Sequence, residues 1–461
     1  MISDDAAART FLLPLHTLTS DRRRPLLGWP AIGIVSMMLG AALFQPLGQI
    51  GPLVVGGITV EPIDMGLFCV CAVMLLESLI RTEWKPLPRP VWPMVTLILV
   101  LAWPIVVGFY AGNAFQSVMF QGRVAAYYVL FFAYWQLIPT KRIAANLLHT
   151  MVGIAVIAAA YGLLTHILGW QWQAGWSSVP TSQGNISRGY GWWSAMPWYV
   201  WGAIICAAYS WLSSASTGRR VVMACISGLL VVSTLSTFIR GDLVGIVLGF
   251  CFVAFVGLRP SATWRRAVKR LWVGLPVIAL VVILGVGLAY SANKAYVSVV
   301  IERAMSIVGA SQSAPSTAQV TAEIRIHAMS GGLRSAVNAP LGIGYGYPPG
   351  READLADVNY LAGHNALAWA GYFYGLVGLG VLVLCFIGIS LHFRRIVASE
   401  HEYGWAATAA VAILVAILGQ SVGAAYFFGS PEVYVLVPIF LAMVWMFGSA
   451  TGGTATGADG Q

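Results

Sequence analysis

The chain is 461 residues long, 58% hydrophobic and only 9% charged, with a mean hydropathy of +0.78 and a formal net charge of +9. That balance excludes an ordinary soluble domain and a disordered acidic chain, and marks a protein dissolved largely in lipid. Backbone groups in hydrocarbon must pair within the protein, so the apolar runs are helices; barrel strands would read as ~10-residue alternating segments.

A crossing needs ~20 apolar residues. After a tail over 1–26, such runs are predicted at 27–47, 62–80, 91–110, 117–138, 143–167, 193–213, 220–238, 241–258 and 271–290. A long hydrophilic segment over 291–364 follows, then runs at 365–391, 405–428 and 432–449 and a tail over 450–461. The expected fold class is an all-α polytopic membrane protein with about 12 transmembrane helices and one large periplasmic loop containing short helices. The first run follows a basic stretch but is long and lacks a small-residue cleavage site, so it reads as an uncleaved span.

With the N-terminus inside, one set of connectors faces the cytoplasm: those with Arg9 and Arg22 to Arg24, with Arg81, Lys85 and Arg89, with Lys141 and Arg142, with Arg219 and Arg220, with Arg259 to Arg270, and with Arg394 and Arg395. They hold 18 of the 26 lysines and arginines, which is the positive-inside bias. Both termini are then cytoplasmic, and the charge gives no reason to expect nucleic acid; the lipid bilayer is the partner that composition itself implies. Cys69, Cys71, Cys206, Cys225, Cys251 and Cys385 all fall in predicted spans, so neither a disulfide framework nor a cysteine metal site is expected. Cys69 and Cys71, two apart on a helix, read as small buried residues on different faces.

Two outer segments stand apart. The first, 168–192, belongs to a region with Trp170, Trp172, Trp176, Trp192, Trp193, Trp198 and Trp201. It reads either as an interfacial aromatic belt or as a platform for sugar rings, with Gln171, Gln173, Gln183 and Asn185 supplying hydrogen bonds. In the second, 291–364, short helices are predicted at 297–309 and 317–330, the latter interrupted by Gly331-Gly332, followed by a tight turn region over 340–350. His364 and Asn365 stand where the chain re-enters the membrane.

Eight basic residues escape the inward bias: Arg123, Arg188, Arg240, Lys294, Arg303, Arg325, Arg334 and Arg351. Arg123 falls ~10 Å below the outer surface at 1.5 Å per residue, where a charge must line a wet cavity or meet an anion. Arg240, followed by Gly241 and Asp242, is either a snorkelling arginine paired with Asp242 or an anion clamp. Arg325 lies between Glu323 and His327, a cluster that also reads as a solvated face. Arg334 would lie on the opposite side of one continuous helix from Arg325.

The order Ser233-Thr-Leu-Ser-Thr-Phe-Ile-Arg240-Gly241, Arg325, Pro340-Leu-Gly-Ile-Gly-Tyr-Gly346, His364-Asn365 and Gly375-Leu-Val-Gly378 resembles the bacterial O-antigen ligases and the related O-antigen and exopolysaccharide polymerases, over about 230–380. Family members commonly carry Ser or Thr directly before the arginine, where this chain has Ile239. The resemblance implies a GT-C-like glycosyltransferase of the bacterial inner membrane, acting on its periplasmic face with a donor glycan on polyprenyl (undecaprenyl) diphosphate. It implies that Arg240, Arg325, Arg123 and Arg334 hold the diphosphate and that His364 is the general base, with Asn365, His327, Glu323 and Tyr345 as auxiliary candidates. No cofactor and no metal are expected, because the outer segments carry no DxD, no His/Cys cluster and no Gly-rich nucleotide loop.

The acceptor is a second lipid-linked repeat unit in a polymerase, or the lipid A core in a ligase. The polymerase is favoured because nothing in the outer loops marks a site for a phosphorylated core oligosaccharide. A flippase or other transporter of lipid-linked oligosaccharide fits twelve spans equally well, but would place ionisable residues near mid-bilayer rather than on one face.

Overall fold

The structure, a computed structural model, describes residues 30–43, 53–55, 58–60, 62–80, 84–167, 178–181, 184–187, 196–237, 239–258, 264–292, 317–346, 365–397, 403–421 and 430–449. Each predicted apolar run contains a helix: α1 Ala31–Ala42, α2 Pro62–Ile80, α3 Trp92–Tyr110, α4 Phe115–Leu137, α5 Lys141–Ile167, α6 Met196–Leu212, α7 Thr217–Ser236, α8 Arg240–Gly257 and α9 Trp264–Ala292. In the hydrophilic segment lies α10, Thr317–Asn338; then come α11 Ala366–Val397, α12 Gly404–Gln420, and a last run broken into α13 Pro431–Tyr434 and α14 Val437–Gly448. Among the described residues α2, α3, α5, α7 and α11 are long and apolar enough to cross a membrane, so the chain is a helical multi-pass membrane protein. Two small antiparallel hairpins that the hydropathy pattern does not reveal join helices: β1 (Leu53–Val55) with β2 (Ile58–Val60) between α1 and α2, and β3 (Ser178–Thr181) with β4 (Gly184–Ser187) between α5 and α6.

Cross-helix hydrogen bonds sort the helix termini onto two ends. At one, Lys85 donates from Nζ to the Trp135 and Ile138 carbonyls that close α4, and the Gln136 amide donates to Lys85 O at 2.9 Å. The Trp445 indole donates to Pro90 O at 3.1 Å, Arg220 Nε donates to Ser210 O at 2.8 Å, and Tyr209 packs on Trp405 with centroids 4.9 Å apart. The described connectors with Lys85 and Arg89, with Lys141 and Arg142, and with Arg219 and Arg220 gather at this end. The opposite end collects the N-termini of α2, α4, α8 and α11 and the C-termini of α3 and α12. The most deeply buried helices, α6, α12 and α14, form the interior.

Three sequence expectations change. Gly331-Gly332 does not interrupt a helix: α10 runs unbroken through both. A Cβ at Gly332 would lie 2.6 Å from Ala368 Cα, and one at Gly371 would meet the backbone of Gly332, so these glycines let α10 and α11 touch backbone to backbone. Cys69 and Cys71 are both exposed rather than buried, because α2 packs on α1 along the line of Gly66, Val70 and Val73, where Gly66 meets Met37 and Gly33 meets Val70, and the two cysteines lie to either side of that line. Trp198 and Trp201 are core residues, tilted against each other, with Trp201 edge-on to Phe440, and offer no face to a sugar. The other tryptophans of that region and the predicted helix at 297–309 lie outside the described residues.

Candidate functional site

The end opposite the basic connectors brings together residues far apart in sequence. Its first component is a junction made by the C-terminus of α12. Gln420 donates from Nε2 to Asp242 Oδ1 at 2.7 Å, while the next residue, Ser421, accepts from the Ala366 N–H at 3.0 Å. Two neighbouring residues thereby hold the start of α8, which carries Arg240-Gly241-Asp242, beside the start of α11, where Asn365 follows His364. Asp242 is fully buried, and its Oδ2 accepts no hydrogen bond among the described residues. It faces α12, as a residue two positions along a helix from Arg240 must face differently from it.

Arg240 is the first residue of α8, after Ile239 in extended conformation. Asn365 is buried and caps α11, its Oδ1 accepting from the N–H groups of Leu367 at 2.7 Å and Ala368 at 3.2 Å. Its auxiliary role is thus first structural. Two helix N-termini meet here; at α11 the first four N–H groups are already taken, by Ser421 O, Asn365 Oδ1 and Asn365 O, so what the pair of termini offers an anion is the positive ends of two helix dipoles.

The second component surrounds Arg123. It is half-buried in the third turn of α4, with Nε donating to the Tyr434 hydroxyl at 3.2 Å and the guanidinium 4.2 Å above the Phe120 ring. One turn further, the Tyr127 hydroxyl donates to Asp64 Oδ1 at 2.8 Å, and its ring packs on Tyr434 at 5.7 Å. The cation is therefore held within a polar network from α2, α4 and α13. Asp64, Tyr127, Tyr434 and Gln420 escaped the sequence reading because each is one polar group in an apolar run; for Asp64 and Tyr434 a position near the outer end of a predicted span was the available signal.

The third component is the segment 339–346, which runs inside the helix assembly instead of turning over its surface. α11 bends at Gly375 (φ 67°, ψ −171°), and the loop fills the bend: Ile343 N–H donates to Tyr372 O at 2.9 Å and Val377 N–H to Pro340 O at 3.0 Å. On its other side Tyr345 N–H donates to Pro104 O at 2.8 Å, the Trp103 indole to Leu341 O at 2.9 Å, Asn113 Nδ2 to Tyr345 O at 2.8 Å, and Gly346 N–H to Gln121 Oε1 at 2.9 Å. Gly342, Gly344 and Gly346 all have positive φ, and a Cβ on them would strike α11, α3 and α4 respectively. The alternation Gly-Ile-Gly-Tyr-Gly thus threads a chain between three helices, where only glycine fits both the dihedral and the space. Tyr345 is fully buried and shares a 2.6 Å hydroxyl contact with Tyr374. Its place is in the core: the expected turn is there, Gly342 N–H donating to Ala339 O at 2.8 Å, but the chain that follows it is packed between helices.

Arg334 and His327 are exposed on α10. Arg325 and Glu323 lie on α10 with side chains outside the described set, as is that of Arg240, and His364 lies outside the described residues. No protein-family model matches the chain, and no curated protein matches it.

Proposed function

We propose that the protein is a polymerase of bacterial surface polysaccharide, exopolysaccharide or O-antigen, working on the outer face of the inner membrane. It transfers a glycan from polyprenyl diphosphate to a sugar hydroxyl of a second lipid-linked repeat unit. The observation that carries this reading is the α12 junction, which sets the Arg240 end of α8 beside the Asn365 end of α11 through Gln420 and Ser421. A departing diphosphate concentrates negative charge, and arginines beside the positive ends of helix dipoles are the groups that stabilise it.

In this reading the acceptor hydroxyl attacks the anomeric carbon, the bond from that carbon to the diphosphate oxygen breaks, and His364 takes the hydroxyl proton. An imidazole, which can take and give up a proton near neutral pH, suits that task. Arg240 and Arg325 neutralise the leaving group, while Arg123, tied to Tyr434, contributes field from within the membrane. Twelve crossings, a GT-C-like arrangement and cytoplasmic termini belong to the same proposal; the gathering of described basic connectors at one end supports the orientation.

Purified protein in detergent, given lipid-linked repeat units, should extend them, and His364→Ala should stop extension without loss of folded protein. Products formed only when lipid A core is supplied would make it a ligase. Turnover in neither case, with lipid-linked sugar moving across sealed vesicles, would make it a transporter.

A further inference from the structure

The hydrophilic composition of 291–364 suggests an extramembrane loop, yet the second half of α10 lies alongside the first turns of α11. Gly332 packs against Ala368 and Gly371, and seven residues later Ala339 and Pro340 meet Gly375 and Val377. The two helices therefore run parallel, both entering from the end opposite the basic connectors. Pro340 is level with a point nine residues into α11, ~14 Å along it, and Tyr345 with Pro104, six residues or ~9 Å short of the end of α3. Both are helices long and apolar enough to span a membrane, so the tip of this segment sits well inside hydrocarbon depth.

Ala328, Gly332 and Ala336 turn inward, whereas Ile326, Met329, Leu333, Val337 and Leu341 form a stripe that is 43–63% exposed. The stripe continues onto the exposed apolar residues of α3 (Val106, Leu99) and α11 (Leu376, Val377). We infer that the second half of α10 with the 339–346 loop is a re-entrant membrane element whose outer stripe contacts the acyl chains of the bilayer. Irregular backbone is tolerated at that depth only where protein satisfies it, and here α3, the α3–α4 connector, α4 and α11 supply partners for the N–H groups of Ile343, Tyr345 and Gly346 and the carbonyls of Pro340, Leu341 and Tyr345. Exposed Arg334 then lies within one side-chain length of the headgroups, where its stem can snorkel outward.

The test is single-cysteine spin labelling of the full chain, with its native cysteines replaced, in phosphatidylglycerol–phosphatidylethanolamine vesicles, at Leu333→Cys, Val337→Cys and Leu341→Cys, with Ala111→Cys at the end of α3 as the aqueous reference. Collision with oxygen should exceed collision with a nickel chelate at the three stripe positions, most at 341, and the reverse should hold at 111. If the cysteine-free protein does not fold, Val337→Cys in the otherwise native chain should react with an impermeant maleimide roughly tenfold more slowly than Ala111→Cys, because a thiol in hydrocarbon stays protonated. Nickel access at 337 and 341 equal to that at 111, or spin–spin broadening between copies, would overturn the inference by placing the stripe in water or against a second subunit.

Discussion

Single residues carry unusually sharp constraints around the bend of α11. A Cβ at Gly375 would lie 2.6 Å from Ala339 O and closer still to Pro340 O and Gly342 N, at a φ that side chains rarely adopt. Gly375→Ala should therefore cost ~1–3 kcal/mol or more through strain and displacement of the loop, while Gly380→Ala, which meets nothing within 4 Å, should be neutral or stabilise by up to ~1 kcal/mol; thermal unfolding in detergent distinguishes the two. At the α12 junction, Gln420→Leu removes the amide donor from a buried carboxyl and should cost ~1–3 kcal/mol. Asp242→Asn keeps an acceptor for that amide and should cost much less by the same assay. Arg123 was legible from its depth in an apolar run, but its partners were not, because Asp64, Tyr127 and Tyr434 come from three helices and one sequence does not record which apolar runs touch.

Helices were more legible than their contacts. Hydropathy finds them because length and apolarity are local quantities, and α2 coincides with its predicted run at 62–80. α10 was legible only in its first part: its start at Thr317 coincides with the predicted one, but its glycine pair reads as a break because glycine costs ~1 kcal/mol in a helix interior. Close packing on α11 offsets that cost, a gain invisible until the neighbour is known. Gly332→Leu should push α10 off Ala368 and Gly371, lowering thermal stability as overpacking does, by ~1–3 kcal/mol. A substitution at the next residue, Leu333→Met on the exposed stripe, should leave stability within ~0.5 kcal/mol.

Across the whole molecule, charge was the most informative part of the sequence. The uneven distribution of lysine and arginine divides the connectors into two classes, and hydrogen bonds such as Lys85 to the end of α4 and Gln420 to Asp242 sort the described helix termini into the same two classes. Reporter fusions within 84–91 should therefore read as cytoplasmic and fusions within 111–113 as external; a common location for both would contradict the alternation of α3. Hydropathy and charge both act one residue at a time against a planar solvent, so they yield order and orientation; lateral packing depends on shape and stays hidden.

The C-terminal turn of α12 has a mechanical consequence. Because Gln420 grips α8 and Ser421 grips α11, one peptide link fixes the spacing between the two helix starts. Any tilt or piston motion of α12 must carry both along as a unit, so the gap between them acts as a rigid gauge rather than an adjustable jaw.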